Sequence, residues 1–182
     1  VRIFEDQKFI IERINIVGNS VTNDDVIRSE MLVDEGDPYS VLLINKSVNE
    51  LKSRGIFGNV EQKVTEGSSP SLKILEISVE ESATGEISAG AGIGTNGSSL
   101  MFSVSENNWL GKGLYLNSQV NFSKEKVVGS LLLNQPNYNH TGNAVFTQFD
   151  ISSADYAKTS GFESSKTGIK LGTEFEQWND IY

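Results

Sequence analysis

The 182-residue chain has no cysteine, one histidine, three prolines and no arginine after Arg54. Without cysteine there is no disulfide, no thiolate metal site and no cysteine nucleophile, and that absence fits any redox compartment. The lone histidine, His140, sits in Asn137-Tyr138-Asn139-His140-Thr141-Gly142, a turn composition with no acid or nucleophile beside it, so a histidine-centred triad has no members here. Positive charge is scarce: 15 basic against 24 acidic residues give a formal net charge of −9. A nucleic-acid binder needs a basic stripe to neutralise phosphates, so no nucleic acid is expected as a partner. No run of about 18 apolar residues is present, which excludes a transmembrane helix. Val1 is not an initiator methionine and no basic-then-apolar leader follows it, the pattern of a processed chain or an excised fragment.

Two motifs invite a chemical reading and fail it. Gly90-Ala91-Gly92-Ile93-Gly94 superficially resembles a dinucleotide loop, but that loop must open a helix, and here Thr95-Asn96-Gly97 leads into another strand-like run. Asp34, Glu35 and Asp37 lack the spacing of a calcium-binding EF-hand loop; an exposed acidic loop of this kind either stays solvated or docks a basic partner. No cofactor, no metal and no enzymatic activity are expected.

What is present divides in two. Residues 1–83 hold nine basic and fifteen acidic residues, 84–182 only six and nine, and twelve of the 17 glycines lie in the second part. The change of material falls near Ser82–Gly85, and two domains, 1–82 and 83–182, are expected. In the first, Phe9 to Val17 is rich in β-branched residues and ends at Gly18-Asn19, a strand and turn. Thr22-Asn23-Asp24-Asp25 reads as a helix start, with Thr22 as a possible cap and acids on the positive end of the dipole. Ile27 and Met31 share one face of that short helix. Val41, Ile44, Val48 and Leu51 recur at helical spacing, and Gly55 is placed as a C-terminal cap. Val60–Thr65 and Leu72–Val79 alternate around Gly67-Ser68-Ser69-Pro70, a hairpin. The order is β-α-α-β-β, a small α+β domain.

The second part alternates with period two throughout. Ile87, Ala89, Ala91 and Ile93 oppose Glu86, Ser88, Gly90, Gly92 and Gly94. Leu100, Phe102 and Val104 oppose serines, and Leu114, Leu116, Val120 and Phe122 oppose Tyr115, Asn117, Gln119 and Asn121. Val127 to Gln135 is apolar but mixed, with Leu131, Leu132 and Leu133 consecutive, so its facing stays open. Val145–Ile151 and Ile169–Phe175 complete six strands in a meander. A soluble sandwich buries its apolar faces; a membrane barrel turns them to lipid. The apolar faces carry no charge, and Trp109, Tyr138, Trp178 and Tyr182 fall at one end, as an interfacial girdle would. Both architectures remain open on the pattern, with the barrel favoured.

Several segments together resemble a known family. Ile11-Glu12-Arg13-Ile14-Asn15-Ile16-Val17-Gly18-Asn19 is similar to the opening strand of a POTRA domain, Leu51 to Val60 (LKSRGIFGNV) to the exit from its second helix, and Ile77-Ser78-Val79-Glu80-Glu81 to its last strand. Asn108-Trp109-Leu110-Gly111-Lys112-Gly113 and Gln135-Pro136-Asn137-Tyr138 resemble the first two periplasmic turns of BamA-type barrels. The likeness runs in order along nearly the whole chain. It implies a membrane-proximal POTRA domain (βααββ) followed by an all-β antiparallel meander, the first strands of a transmembrane β-barrel in the BamA-type family of outer-membrane assembly factors. About six strands cannot close, since membrane barrels need about eight at the least.

The resemblance further implies a bacterial outer-membrane location with the POTRA domain in the periplasm. It implies assembly of outer-membrane proteins by β-augmentation, with Glu86, Ile87, Ser88, Ala89, Gly90, Ala91, Gly92, Ile93 and Gly94 as the client-pairing strand. Arg28 and the Glu35-Gly36 pair match positions that face a partner lipoprotein, and Asp34 and Asp37 beside them strengthen the negative field of that docking loop. Implied partners are assembly-machine lipoproteins, nascent outer-membrane proteins, periplasmic chaperones and the lipid bilayer. The alternatives are a two-partner-secretion or TamA-type transporter, or a soluble α+β module joined to a β-sandwich.

Overall fold

The structure, a computed structural model, describes residues 8–94, 97–158 and 160–175. The chain separates into two compact units, Val1–Ala83 and Thr84–Tyr182. The first contains β1 (Ile10–Val17), α1 (Asp24–Ser29), α2 (Val41–Ser53), β2 (Phe57–Glu66) and β3 (Leu72–Glu81). Its sheet order is β1-β3-β2, with β3 parallel to β1 and antiparallel to β2. Leu75, Ile77 and Val79 of β3, spaced by two, point at one face and meet Ile44, Val48 and Leu51 of α2 in a core completed by Ile11, Ile14, Ile27, Val33, Ile56, Phe57 and Val60. Simple alternation would put Ile11 and Ile14 on opposite faces of β1. Both are buried because the register shifts between Ile11 and Arg13, a bulge that re-aims the strand.

Three local expectations change. Asn23, not Thr22, occupies the cap position of α1 and makes no side-chain cap bond; Thr22 is buried, and its N–H donates instead to Glu81 at 2.6 Å. The helix ends at Ser29, so Met31 reaches the core from the following turn. Val41 begins α2 but is 53 % exposed, while Ser47 on the inward face is fully buried. Its hydroxyl donates to the Leu43 carbonyl at 2.9 Å and accepts from the Leu32 N–H at 2.8 Å, which makes a polar residue compatible with the core. Gly55 follows α2 with φ +67 and no atom near the place a Cβ would occupy. Left-handed backbone, not crowding, therefore calls for glycine there.

The second unit is one sheet of six strands in the order β4-β5-β6-β7-β8-β9. They are β4 (Gly85–Gly94), β5 (Gly97–Trp109), β6 (Leu114–Ser123), β7 (Lys126–Gln135), β8 (Ala144–Tyr156) and β9 (Phe162–Glu174). All pairs are antiparallel, and cross-strand partners share a face. Ile87, Ala89 and Ala91 pair with Val104, Phe102 and Leu100, and these with Ser118, Val120 and Phe122. The row continues through Leu131, Gly129 and Val127 to Phe149 and Ile151, then Ile169 and Thr167. One face is thus predominantly apolar along the middle of all six strands, interrupted by Ser118 and Thr167. The register also fixes β7: Leu131 and Leu133 join that face, while Leu132 lies opposite Asn117 and Gln148 on the polar one. There Lys170 meets Asp150 at 2.8 Å, and Gln148 donates to the same carboxylate at 2.7 Å. Among the described residues no second sheet packs on the apolar face.

Glu81, the last residue of β3, holds the turn after β1. Its carboxylate accepts the Ser20 hydroxyl at 2.6 Å and the N–H groups of Ser20, Val21 and Thr22. Burial would raise its pKa; the bonds from Ser20, Thr22 and Val21 overcome that and lower it from 4.5 to about 2. A carboxylate lowered in the folded state stabilises the domain above its unfolded pKa, and that contribution fades as pH falls from 4.5 towards 2. Residues 9–82 expressed alone are expected to fold cooperatively and to lose stability across this window. Glu81→Gln should flatten that limb of a urea-denaturation series run against pH; an unchanged acid limb would contradict the role given to Glu81. In the same assay Gly55→Val is expected to cost about 1–2 kcal/mol, the penalty of a left-handed non-glycine residue.

Candidate functional site

The residues expected to act do not converge on a pocket. They lie on a strand edge, on a pair of turns and on one loop of the helical unit. Glu86 to Gly94 all fall in β4, an end strand of the unclosed sheet, with β5 on one side only. Ile87 and Ile93 are 83 % and 92 % exposed. Of the three glycines on its polar face, Gly92 has the Ser99 hydroxyl 3.2 Å from the place of a Cβ, whereas Gly90 has room and Gly94 meets nothing. Packing does not demand glycine at positions 90 and 94. What glycine does there is remove side-chain contact and stiffness, leaving a strand held chiefly by its backbone ladder.

The opposite rim behaves differently. Phe146 of β8 pairs directly with Gly172 of β9, and its ring occupies the space a Cβ on Gly172 would enter. The aromatic covers the glycine and locks β8 to β9, a known device for compensating strand glycines.

Trp109 and Tyr138 stand on the β5–β6 and β7–β8 turns, at the end of the sheet where β4 begins, and are 41 % and 50 % exposed. Trp178 and Tyr182 lie outside the described residues. The two turns share a construction that reading them singly does not disclose. In the first, Asn108 Oδ1 accepts the Gly113 N–H at 2.8 Å; in the second, Asn137 Oδ1 accepts the Gly142 N–H at 2.9 Å. The aromatic follows the asparagine in both. The next residue is left-handed in both, Leu110 at φ 59 and Asn139 at φ 52, and both glycines have positive φ. The signal was present in the sequence as Asn-aromatic, with glycine five residues after the asparagine, repeated at 108–113 and 137–142.

In the helical unit, Arg28, Asp34, Glu35 and Gly36 do come together. Arg28 Nη2 donates to the Ile14 carbonyl and Glu35 Oε1 accepts the Ile14 N–H, each at 3.0 Å, and the two side chains lie 3.8 Å apart. Asp34 Oδ1 accepts the Glu35 N–H at 2.8 Å, and Gly36 donates to the Ile11 carbonyl at 2.8 Å. Among the described residues no group of three or more metal-ligating side chains occurs.

An α+β unit of this order, followed by antiparallel strands with one predominantly apolar face, has the fold of a POTRA domain joined to the opening strands of a membrane barrel. The POTRA family model, described as Surface antigen variable number repeat, matches residues 9–82. Several BamA sequences match, among them that of Neisseria meningitidis serogroup B, 28 % identical over 166 residues covering 90 % of this chain and 20 % of the relative. The fold matches the crystal structure of BamA from Haemophilus ducreyi lacking POTRA domains 1–3, with a TM-score of 0.79 at 21 % identity over 90 % of this chain and 32 % of that one. CdiB from Escherichia coli shares the fold less closely, with a TM-score of 0.60 at 14 % identity over 92 % of this chain and 33 % of that one. Residues 9–82 match the POTRA family, and the chain as a whole is similar to BamA sequences and to the fold of a BamA barrel with its adjoining POTRA domain. The chain spans about a fifth of the length of the Neisseria relative.

Gly172→Ala in the full-length parent is expected to push the Phe146 ring aside and reduce the folded, heat-modifiable band on cold gels. Adding Phe146→Ala should restore part of it. Equal folding of the single variant and the parent would show that the ring yields without loss.

Proposed function

We propose that this chain is the membrane-proximal part of an outer-membrane protein assembly factor, with its POTRA domain in the periplasm and its strands in the outer membrane. Incoming barrel proteins pair with β4 by β-augmentation, in which main-chain bonds supply affinity and side chains little selectivity. The observation that supports this reading is β4 itself: the first strand of the sheet, with glycines at 90 and 94 that packing does not require. A strand held by its ladder exchanges one partner for another at small net change, because similar bonds are remade. The names of the BamA relatives support the assembly role.

The POTRA domain guides clients released by periplasmic chaperones and docks an assembly lipoprotein. Asp34, Glu35, Gly36 and Asp37 form the exposed loop that supports the docking assignment, with Arg28 behind it. The apolar face of the sheet meets the bilayer, and Trp109 and Tyr138 sit at its periplasmic boundary, where amphipathic aromatics are favoured.

The likeness to CdiB keeps a second reading in view, a two-partner-secretion transporter. Deleting the parent gene separates the two: assembly predicts a general loss of outer-membrane proteins, transport the loss of one exported substrate. For the strand assignment, single cysteines at 87–93 in the full-length parent are expected to crosslink to the terminal strand of a stalled client. Crosslinks confined to Phe162–Glu174 would refute the role of β4.

A further inference from the structure

The docking loop does more than present charge. Along the free side of β1, the strand's outward peptide groups are taken up one after another. Phe9 O accepts the Tyr39 N–H at 2.8 Å, Ile11 N–H donates to Asp37 O at 2.9 Å, and Ile11 O accepts the Gly36 N–H at 2.8 Å. Ile10 and Pro38 form an antiparallel bridge. Residues 36–39 thus run beside β1 as a short false strand. Gly36, at φ +95, makes the turn that brings its N–H to Ile11. Beyond Ile11, where the register of β1 against β3 shifts, Ile14 N–H and C=O are met by side chains. The Glu35 carboxylate takes the N–H and the Arg28 guanidinium fills the carbonyl, so an acceptor and a donor stand where a neighbouring peptide group would.

From this we infer that Arg28 and Glu35 are specificity-determining residues that plug the β1 edge and keep an extended client segment from adding to it. The inference rests on the strand-pairing function proposed above. A protein that handles unpaired strands endangers its own sheet edges, and a rim left open is a competing acceptor. The plug supplies two charge-assisted bonds, stronger than neutral ones, and both side chains keep part of their surface in water, at 37 % and 43 % exposure.

The distinguishing variant is Glu35→Gln, which loses the charge but keeps a carbonyl oxygen able to accept the Ile14 N–H; Glu35→Ala loses both. In the full-length parent, hydrogen exchange by mass spectrometry over 11–17 is expected to quicken roughly tenfold in Glu35→Ala and Arg28→Ala, the loss of one charge-assisted bond. Glu35→Gln should stay near the parent. Unchanged exchange over 72–81 will show that the core is intact. A photoreactive residue at position 13 should capture a synthetic peptide copying a client's terminal strand in Glu35→Ala, and not in the parent or Glu35→Gln. Parent-like exchange in Glu35→Ala, Glu35→Gln behaving as Glu35→Ala, or equal capture in all three overturns the plug. Faster exchange without capture overturns its role in client specificity. Crosslinking at 87–93 reports separately on whether β4 receives clients, so the two readings fail independently.

Discussion

A peptide group at the rim of a sheet must find a hydrogen-bond partner in the chain, in water or in another molecule, and in lipid only the first and last remain. This demand organises the whole structure. At the β1 rim of the POTRA domain it is met internally, by the false strand 36–39 and then by Arg28 and Glu35 at Ile14. At the first rim the chain's own backbone and side chains supply the partners. At the β4 rim of the six-stranded sheet no strand among the described residues lies outside.

Glycine is used in opposite senses at the two ends of that sheet. Gly172 lies beneath Phe146, where a smaller residue admits an aromatic and tightens the β8–β9 pair. Gly90, which meets only the tip of Met101, and Gly94, which meets nothing, leave β4 with little besides its ladder. The same residue type therefore strengthens one seam and weakens another, and the neighbour across the strand decides which.

The turns between these strands show how a fixed backbone places an exposed aromatic side chain. Leu110 and Asn139 hold left-handed conformations that L-residues adopt at some cost, and the side chains of Asn108 and Asn137 stabilise both turns by accepting a glycine N–H across them. The aromatic beside each asparagine is then placed by the turn's geometry. Exposed aromatics on wandering loops could not mark a common level; these two are set by the same construction at successive hairpins.

Much of this was legible in the sequence. Period-two alternation located all six strands and matched Leu114–Ser123 to the residue, because each face of that strand has a single chemistry. The helical stripe found Ile44, Val48 and Leu51, and the glycine after α2 proved left-handed as its placement required. β8 and β9 run longer than the alternation showed, through Ser152–Tyr156 and from Phe162, since the serines there interrupt the alternation of apolar and polar residues. What the sequence alone determined is therefore what depends on neighbours a few residues apart: strand and helix identity, the turn chemistry and the division into two units. Tertiary structure decided the rest. Only the register chose Leu131 and Leu133 over Leu132, and only the bulge in β1 buried Ile11 with Ile14. The bonds from Arg28 and Glu35 to Ile14 span 14 and 21 residues. No local period encodes them, because they exist only once the loop has folded back along the strand.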